Sequence, residues 1–311
     1  MIVTITLNPA VDTCYYVSSF LLGETNRSDQ YVKTAGGKGL NVSKVLKQLG
    51  ADVIATGFLG GTTGQFIAEE VQKKSIISRF TQCKEDTRNC IAIIDQAGQH
   101  TEMLERGPKI TEEEAKKFFQ DLTELYKLRE IQAIVASGSI PAGLGKDYYC
   151  HLIREAKFRK IPFILDTSGD ALKEAIQAEP YLIKPNISEV ASLLEREIRT
   201  EREVLLALQD EKLRIIPNIV ISLGAGGAMA RCDKEIYKVI IPTIEVKSPV
   251  GSGDAMVAGM AYEITKKSTN EQVLRVGTTC GILNAMHVET GYIDIEKFNM
   301  LYKEVQIIRL N

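Results

Sequence analysis

The chain has 311 residues, 38 lysines and arginines against 40 aspartates and glutamates (net −2), 44% hydrophobic residues and 6% aromatic ones. This composition excludes disorder, collagen and coiled coil, and the near-zero charge leaves no broad field for nucleic acid or an anionic membrane. A chain of this size buries enough surface to fold without disulfides or a structural metal, as one large α/β unit or as two smaller domains.

The six cysteines (Cys14, Cys83, Cys90, Cys150, Cys232, Cys280) are scattered without a CxxC pair, which suits idle thiols in a reducing compartment. The three histidines share no ligand spacing, so a histidine-based zinc site is not expected. The start, Met1 to Pro9, lacks the charged, long apolar character of a signal peptide, and no run reaches about 18 apolar residues. A cytoplasmic location is the expectation.

In chain order, an apolar first strand runs into Asn8-Pro-Ala-Val-Asp12 and leaves a carboxylate near its tip. Residues 11–34 show short polar strands and no helical period. Val42, Val45, Leu46 and Leu49 then fall at i, i+3, i+4, i+7, a helix that Gly50 can close. Asp52 to Phe58 is a short apolar strand. Arg88–Asp95 and His100–Arg106 flank Gln96-Ala-Gly-Gln99 as a β-hairpin. Thr111-Glu-Glu-Glu114 has capping-box spacing before a helix face of Ala115, Phe118, Phe119 and Leu122. Strands at 131–137, 161–166, 181–184 and 218–223 then alternate with helices at 147–160, 170–178, from Ser188 and from Thr200. Such β–α alternation predicts a doubly wound α/β fold, a mostly parallel sheet with helices on both faces. The segments at about 11–34 and 88–106 carry few core positions. They are expected to form a small β-sheet lid on one domain spanning 1–311, where a lid would exclude water from reactive phosphates.

The strongest local signal is Ser248-Pro-Val-Gly-Ser-Gly-Asp-Ala-Met-Val-Ala-Gly259. Gly251, Ser252 and Gly253 allow tight backbone approach and feed a helix N-terminus, which offers free N–H groups to an anion. Asp254 follows in the first turn, and a carboxylate beside an anion makes sense as a base acting on an attacking hydroxyl. The same residues also suit an ordinary helix start with a favourable acid.

Ala35-Gly-Gly-Lys-Gly-Leu-Asn41 is neither a P-loop nor a dinucleotide fingerprint. It can bring Gly37, the Lys38 ammonium and the Asn41 amide close to a polyhydroxyl or phosphorylated ligand. Lys184-Pro-Asn186-Ile-Ser-Glu189 follows a buried strand, where Asn186 and Glu189 either hold a hydrated Mg²⁺ or simply cap a helix. Ser222-Leu-Gly224 to Gly227 either admits a nucleotide or makes a plain hairpin turn. Arg27, Lys38, Arg88 and Arg106 fall in or beside the lid segments, and a cluster of cations there would mark a phosphorylated substrate.

Together, Gly36-Gly-Lys-Gly-Leu-Asn41 and Pro249-Val-Gly-Ser-Gly-Asp254 resemble the two signatures of the ribokinase-like (PfkB) sugar kinases, and the resemblance covers essentially the whole chain. Thr6-Leu-Asn-Pro-Ala-Val-Asp12 and Thr87-Arg-Asn89 look like its phosphosugar branch, the 1-phosphofructokinases and tagatose-6-phosphate kinases. Thr101-Glu-Met-Leu-Glu105, Tyr181 to Asn186 and Thr290-Gly-Tyr292 look most like the tagatose-6-phosphate kinases of lactose metabolism.

The resemblance implies ATP, Mg²⁺ and phosphoryl transfer to a ketohexose monophosphate. It makes Asp254 the base and Gly251, Ser252 and Gly253 the anion hole. It gives Asp12, Gly37 and Asn41 the sugar hydroxyls, and Lys38, Arg88 and Arg27 the phosphates. Asn186 and Glu189 would organise Mg²⁺, and Lys184, Asn186, Ser222, Gly224, Gly227 and Asn284 the nucleotide. A catalytically silent sugar-phosphate sensor would tolerate loss of Asp254 or its glycines, and neither is lost. A nicotinamide dehydrogenase would need an early strand–GxGxxG–helix unit, and none is present. A homodimer through the exposed lid edge is the expected assembly.

Overall fold

The computed structural model describes residues 1–128 and 130–310. Strand β1 (Ile2–Thr6) is buried at every position. The chain then leaves the main sheet for the antiparallel pair β2 (Ala10–Val17) and β3 (Gln30–Gly36). It returns through α1 (Lys38–Gln48), β4 (Val53–Leu59) and α2 (Gly61–Lys73), with short strands β5 (Ile77–Ser78) and β6 (Thr81–Gln82) beside β4. The expected hairpin forms as β7 (Arg88–Asp95) and β8 (His100–Leu104), but Ile94 rather than Asp95 stands opposite His100, because Gln99 O already accepts from Asp95 N–H and shortens the loop.

Regular alternation follows: α3 (Glu112–Leu128), β9 (Ala133–Ser137), α4 (Tyr148–Phe158), β10 (Phe163–Asp166), α5 (Gly169–Ala175) and β11 (Leu182–Ile183). Helices α6 (Ile187–Leu194) and α7 (Glu201–Leu208) lead to β12 (Asn218–Ser222). The last elements are β13 (Ala228–Cys232), β14 (Glu235–Ile240), α8 (Ser252–Thr265), α9 (Asn270–Ala285), α10 (Ile295–Glu304) and β15 (Gln306–Leu310).

The main sheet runs β15-β14-β13-β12-β11-β10-β9-β1-β4-β5. From β12 to β5 it is parallel, while β12 to β15 pair antiparallel. The expected parallel sheet is thus extended by an antiparallel edge that the apolar periodicity did not reveal. Its central strands β1, β4, β9 and β10 are largely apolar and buried throughout because both faces are covered. Ile2, Val53 and Val135 pack with Val45 and Leu274 on one face, whereas Val3, Ile54 and Ile134 pack with Phe118 and Ile153 on the other. The expected capping box before α3 is present: Glu114 N–H donates to Thr111 Oγ1 at 3.2 Å, and Thr111 N–H to Glu114 Oε2 at 2.7 Å.

The second sheet has four strands in the order β3-β2-β7-β8, built from the two segments set apart in the sequence. Every residue of β8 is exposed, in contrast to the wholly buried β1, β4, β9 and β10. Among the described residues no helix is long and apolar enough to cross a membrane.

Candidate active site

The polar residues gather where parallel strands end. In this strand order β1 lies between β4 and β9, so the chain winds away from β1 in both directions, and a crevice opens at the carboxyl ends. Two helix N-termini, those of α1 and α8, point into it.

Gly37 caps α1 with φ 116°, a conformation that favours glycine. A Cβ there would also lie 3.0 Å from Thr6 Cγ2 and 3.2 Å from Pro9 Cα, so the turn presses directly on the end of β1. This contact seats Lys38 and Asn41 in the first turn of α1. Gly251 caps α8 with φ 82°, and a Cβ on it would fall 2.4 Å from Thr290 Cγ2. Ser252 Oγ is buried beside that turn with no partner. Asp254, only 5% exposed, follows in the first turn of α8 and accepts a hydrogen bond from Asn41 Nδ2 at 2.9 Å. The two glycine signatures therefore meet through their polar residues.

Burial, followed by the nearby Asp166 carboxylate, pushes the Asp254 carboxyl up to about 7, against Asn41, Lys38 and Lys184, which pull it down. Asp166, the last residue of β10, lies 3.9 Å from Lys38 Nζ through Oδ1 and 3.6 Å from Lys184 Nζ through Oδ2. Asp166 raises the pKa of Lys38, whose side chain stays 45% exposed and free to reach a ligand. Lys184 is buried, and its Nζ lies 3.1 Å from where a Gly253 Cβ would stand. The missing side chain at Gly253 is what lets this ammonium approach the α8 N-terminus.

On the second sheet, burial raises the Asp12 pKa while Lys44 and Arg88 oppose it. A Cβ on Gly36 would fall 1.9 Å from Asp12 Oδ2, so this carboxylate lies against the glycine turn. Arg88 donates through Nη1 to Glu105 O and through Nη2 to Asn8 O, both at 3.1 Å, and its Nε is buried without a partner. Arg27 sits exposed between β2 and β3, outside this cluster.

The remaining expected residues are engaged by the protein itself. Asn186 and Glu189 form a capping box at α6, each donating its N–H to the other's side chain at 2.9 Å. Ser222 bridges to Asn186 beside it. Gly224 lies in the β12–β13 hairpin turn, and Gly227 is required there because a Cβ would meet Val239 O at 2.1 Å. Asn284 is fully buried; it donates to Val250 O at 2.8 Å and accepts from Gly291 N–H at 2.9 Å. It braces the glycine turn before α8 with one N–H and its carbonyl oxygen.

Asp166 and Lys44 were not singled out in the sequence. An acid closing a buried parallel strand is the signal that would have found Asp166. A hollow of about 760 Å³, lined by Ile131, Phe163, Tyr181, Val220 and Leu274, lies at the amino-terminal edge of the sheet, opposite Asp254. The clustered carboxylates and lysines lie at the other edge, where a hollow of about 330 Å³ is lined by Ser139, Pro141, Lys146 and Thr167.

The sequence matches the pfkB family carbohydrate kinases over residues 5–297. Tagatose-6-phosphate kinase of Staphylococcus epidermidis is 44% identical over 313 aligned residues, covering 100% of both chains. Phosphofructokinase-2 from Escherichia coli in complex with potassium superposes with a TM-score of 0.90 at 26% identity, over 97% of this chain and 98% of that one. The same enzyme in complex with fructose-6-phosphate gives 0.88 at 25% identity, with the same coverage.

Proposed function

This chain belongs to the pfkB family of carbohydrate kinases, ATP-dependent sugar phosphotransferases, and we propose that its acceptor is a ketohexose monophosphate, D-tagatose 6-phosphate, giving tagatose 1,6-bisphosphate. The acceptor rests on the 44% identity to a tagatose-6-phosphate kinase along the full chain. The chemistry rests on one observation, the buried Asp254 held by Asn41 at the N-terminus of α8.

Asp254 accepts the proton of the attacking hydroxyl as its oxygen bonds to the γ-phosphorus, and the bridging oxygen leaves with ADP. A base near 7 matches neutral pH, where general-base action contributes about 10²–10⁴-fold. The N–H groups of Gly251, Ser252 and Gly253 face the charge developing on the transferred group, and Lys38 balances it from the α1 side. Asp12, Gly37 and Asn41 grip sugar hydroxyls. Arg88, with Arg27 closing from the exposed loop, holds the substrate's own phosphate. Lys184, Ser222 and Gly224 flank the nucleotide.

The donor set suits a hydrated Mg²⁺ carried on the nucleotide phosphates. Asp166 Oδ1 is buried without a donor, and Glu189 commits one carboxylate oxygen to its capping box. Among the described residues no three His, Cys, Asp or Glu side chains form a cage for a resident ion. One or two carboxylates plus phosphates are how Mg²⁺ is usually held. Bound there, it neutralises charge on the β- and γ-phosphates.

In this reading the chain is one unit, and the β3-β2-β7-β8 sheet is its lid. The lid exposes Tyr31, Val32, Met103 and Leu104 at 59, 46, 70 and 61%, a surface suited to pairing two copies. The structural likeness to phosphofructokinase-2 favours a fructose phosphate as the second candidate.

The test is kcat/KM with Mg·ATP for tagatose 6-phosphate, fructose 1-phosphate and fructose 6-phosphate in parallel. A clear lead for tagatose 6-phosphate supports the acceptor; a lead for either fructose phosphate keeps the mechanism and replaces the acceptor. No turnover of any of them overturns the phosphosugar assignment.

A further inference from the structure

Lys44 lies one turn beyond Asn41 on α1, is only 8% exposed, and has no ion-pair partner among the described residues. Lysine is seldom buried this deeply without a counter-charge, because desolvating an ammonium is costly. Its Nζ donates to Ala35 O at 2.7 Å and reaches Asn41 Oδ1 at 3.4 Å. The other end of that amide, Asn41 Nδ2, donates to Asp254 Oδ2. Ala35 belongs to β3, so one ammonium touches both the second sheet and the residue that holds the carboxylate.

We propose that Lys44 is a positioning residue: its cation fixes the Asn41 amide with nitrogen toward Asp254, and ties that orientation to strand β3. Without the cation, an amide can turn over and present its oxygen to the carboxylate, which repels it and loses the hydrogen bond. The inference rests on Asp254 being the base.

The charges that face Lys44 come from several elements. Burial and Lys74 lower its pKa to about 8, while Asp12 on β2, Glu289 and Asp254 on α8 oppose them. Lys74 and Glu289 pair at 3.5 Å on the rim of a cavity of about 100 Å³ that Lys44 lines, together with Glu70 of α2. A group near 8 gives up its proton within reach of ordinary assays, so the coupling has a pH signature. Arginine at this position keeps its charge throughout that range.

The experiment is the pH profile of kcat/KM for wild type, Lys44→Arg, Lys44→Met, Asn41→Ala and the Lys44→Met/Asn41→Ala pair. Lys44→Met is expected to lose about 10- to 100-fold in kcat, as loss of a supporting partner commonly does. Its acid limb should rise by about one pH unit, the scale of one hydrogen bond to a charged group. The double variant should move no further than Asn41→Ala alone. Lys44→Arg should stay active and lose the alkaline fall near 8.

An unmoved limb in Lys44→Met, or effects that simply add to those of Asn41→Ala, overturn the proposal. If thermal melting shows Lys44→Met unfolded, Lys44→Arg decides, and an alkaline limb identical to wild type overturns it. Asp254→Asn separates the two readings. If it turns over at the wild-type rate, the base assignment falls and this inference with it. If it is inactive while Lys44→Met keeps the wild-type limb, only the role of Lys44 falls.

Discussion

The edge of the main sheet and the four-stranded sheet beside it supply the same candidate site but are built differently. Asp166 ends a wholly buried strand, Lys184 directly follows one and Asp254 stands at the head of α8, each at or below 5% exposure. Asp12, Arg88 and Arg27 stand on partly exposed strands or an exposed loop, and β8 beyond them has no buried residue. Local stability follows burial, so opening is expected in the second sheet long before the first. In the proposed mechanism, the groups that hold the reacting geometry thus sit on the rigid edge, and those that admit and release substrate on the loose one.

Substitutions test that contrast. Asp254→Asn should cost the most, about 10²–10⁴-fold in kcat, with no loss of thermal stability because it removes a buried carboxyl that faces Asp166. Stopped-flow or coupled assay beside a melt checks both halves. Wild-type kcat/KM should fall about tenfold per pH unit below about 7, because the base acts only when deprotonated and its pKa is raised. A flat acid limb with chemistry rate-limiting would remove Asp254 as the base.

Arg88→Ala, on the loose side, should raise KM for the sugar phosphate by roughly 10- to 100-fold and change kcat less. An equal fall in kcat would place Arg88 with the rigid group. Gly37→Ala should lower stability by about 1–3 kcal/mol, since φ 116° strains any side chain and Thr6 and Pro9 leave no room. Calorimetry measures it. Met103→Ser, on exposed β8, should shift the melt by no more than about 0.5 kcal/mol, while sedimentation reports whether two copies part.

Much of this arrangement was legible beforehand. Strands covered on both faces read as apolar runs, and Thr111 with Glu114 or Thr200 with Glu203 announced their helices by capping chemistry. The sparse apolar content of residues 11–34 and 88–106 separated the second sheet. Helix α2 escaped because it opens with Gly61-Thr-Thr-Gly64, weak helix formers that tertiary packing overrides.

Other features depend on contacts the sequence does not display. Asp166 is the last letter of an apolar strand, and it matters only because neighbouring β11 delivers Lys184 and α1 delivers Lys38. Lys44 reads as one more charged helix residue until the turn at Gly291 closes over its stem, where a Cβ would come within 3.0 Å of Lys44 Cδ. Asn284 carried no signal that its amide ties the turn before α8 to Gly291.

The placement of β1 bears on how the chain is made. Strand β1 pairs with β4 on one side, but its other side waits for β9, some 130 residues later in the chain. Until then a strand that is wholly buried in the finished fold presents an open edge, the kind of surface that recruits other chains. The bond between Asn41 and Asp254 closes a span of 213 residues, so it waits until all of that span has been made. A nascent chain halted before α8 would hold every parallel strand of the main sheet and one glycine turn, yet lack Asp254.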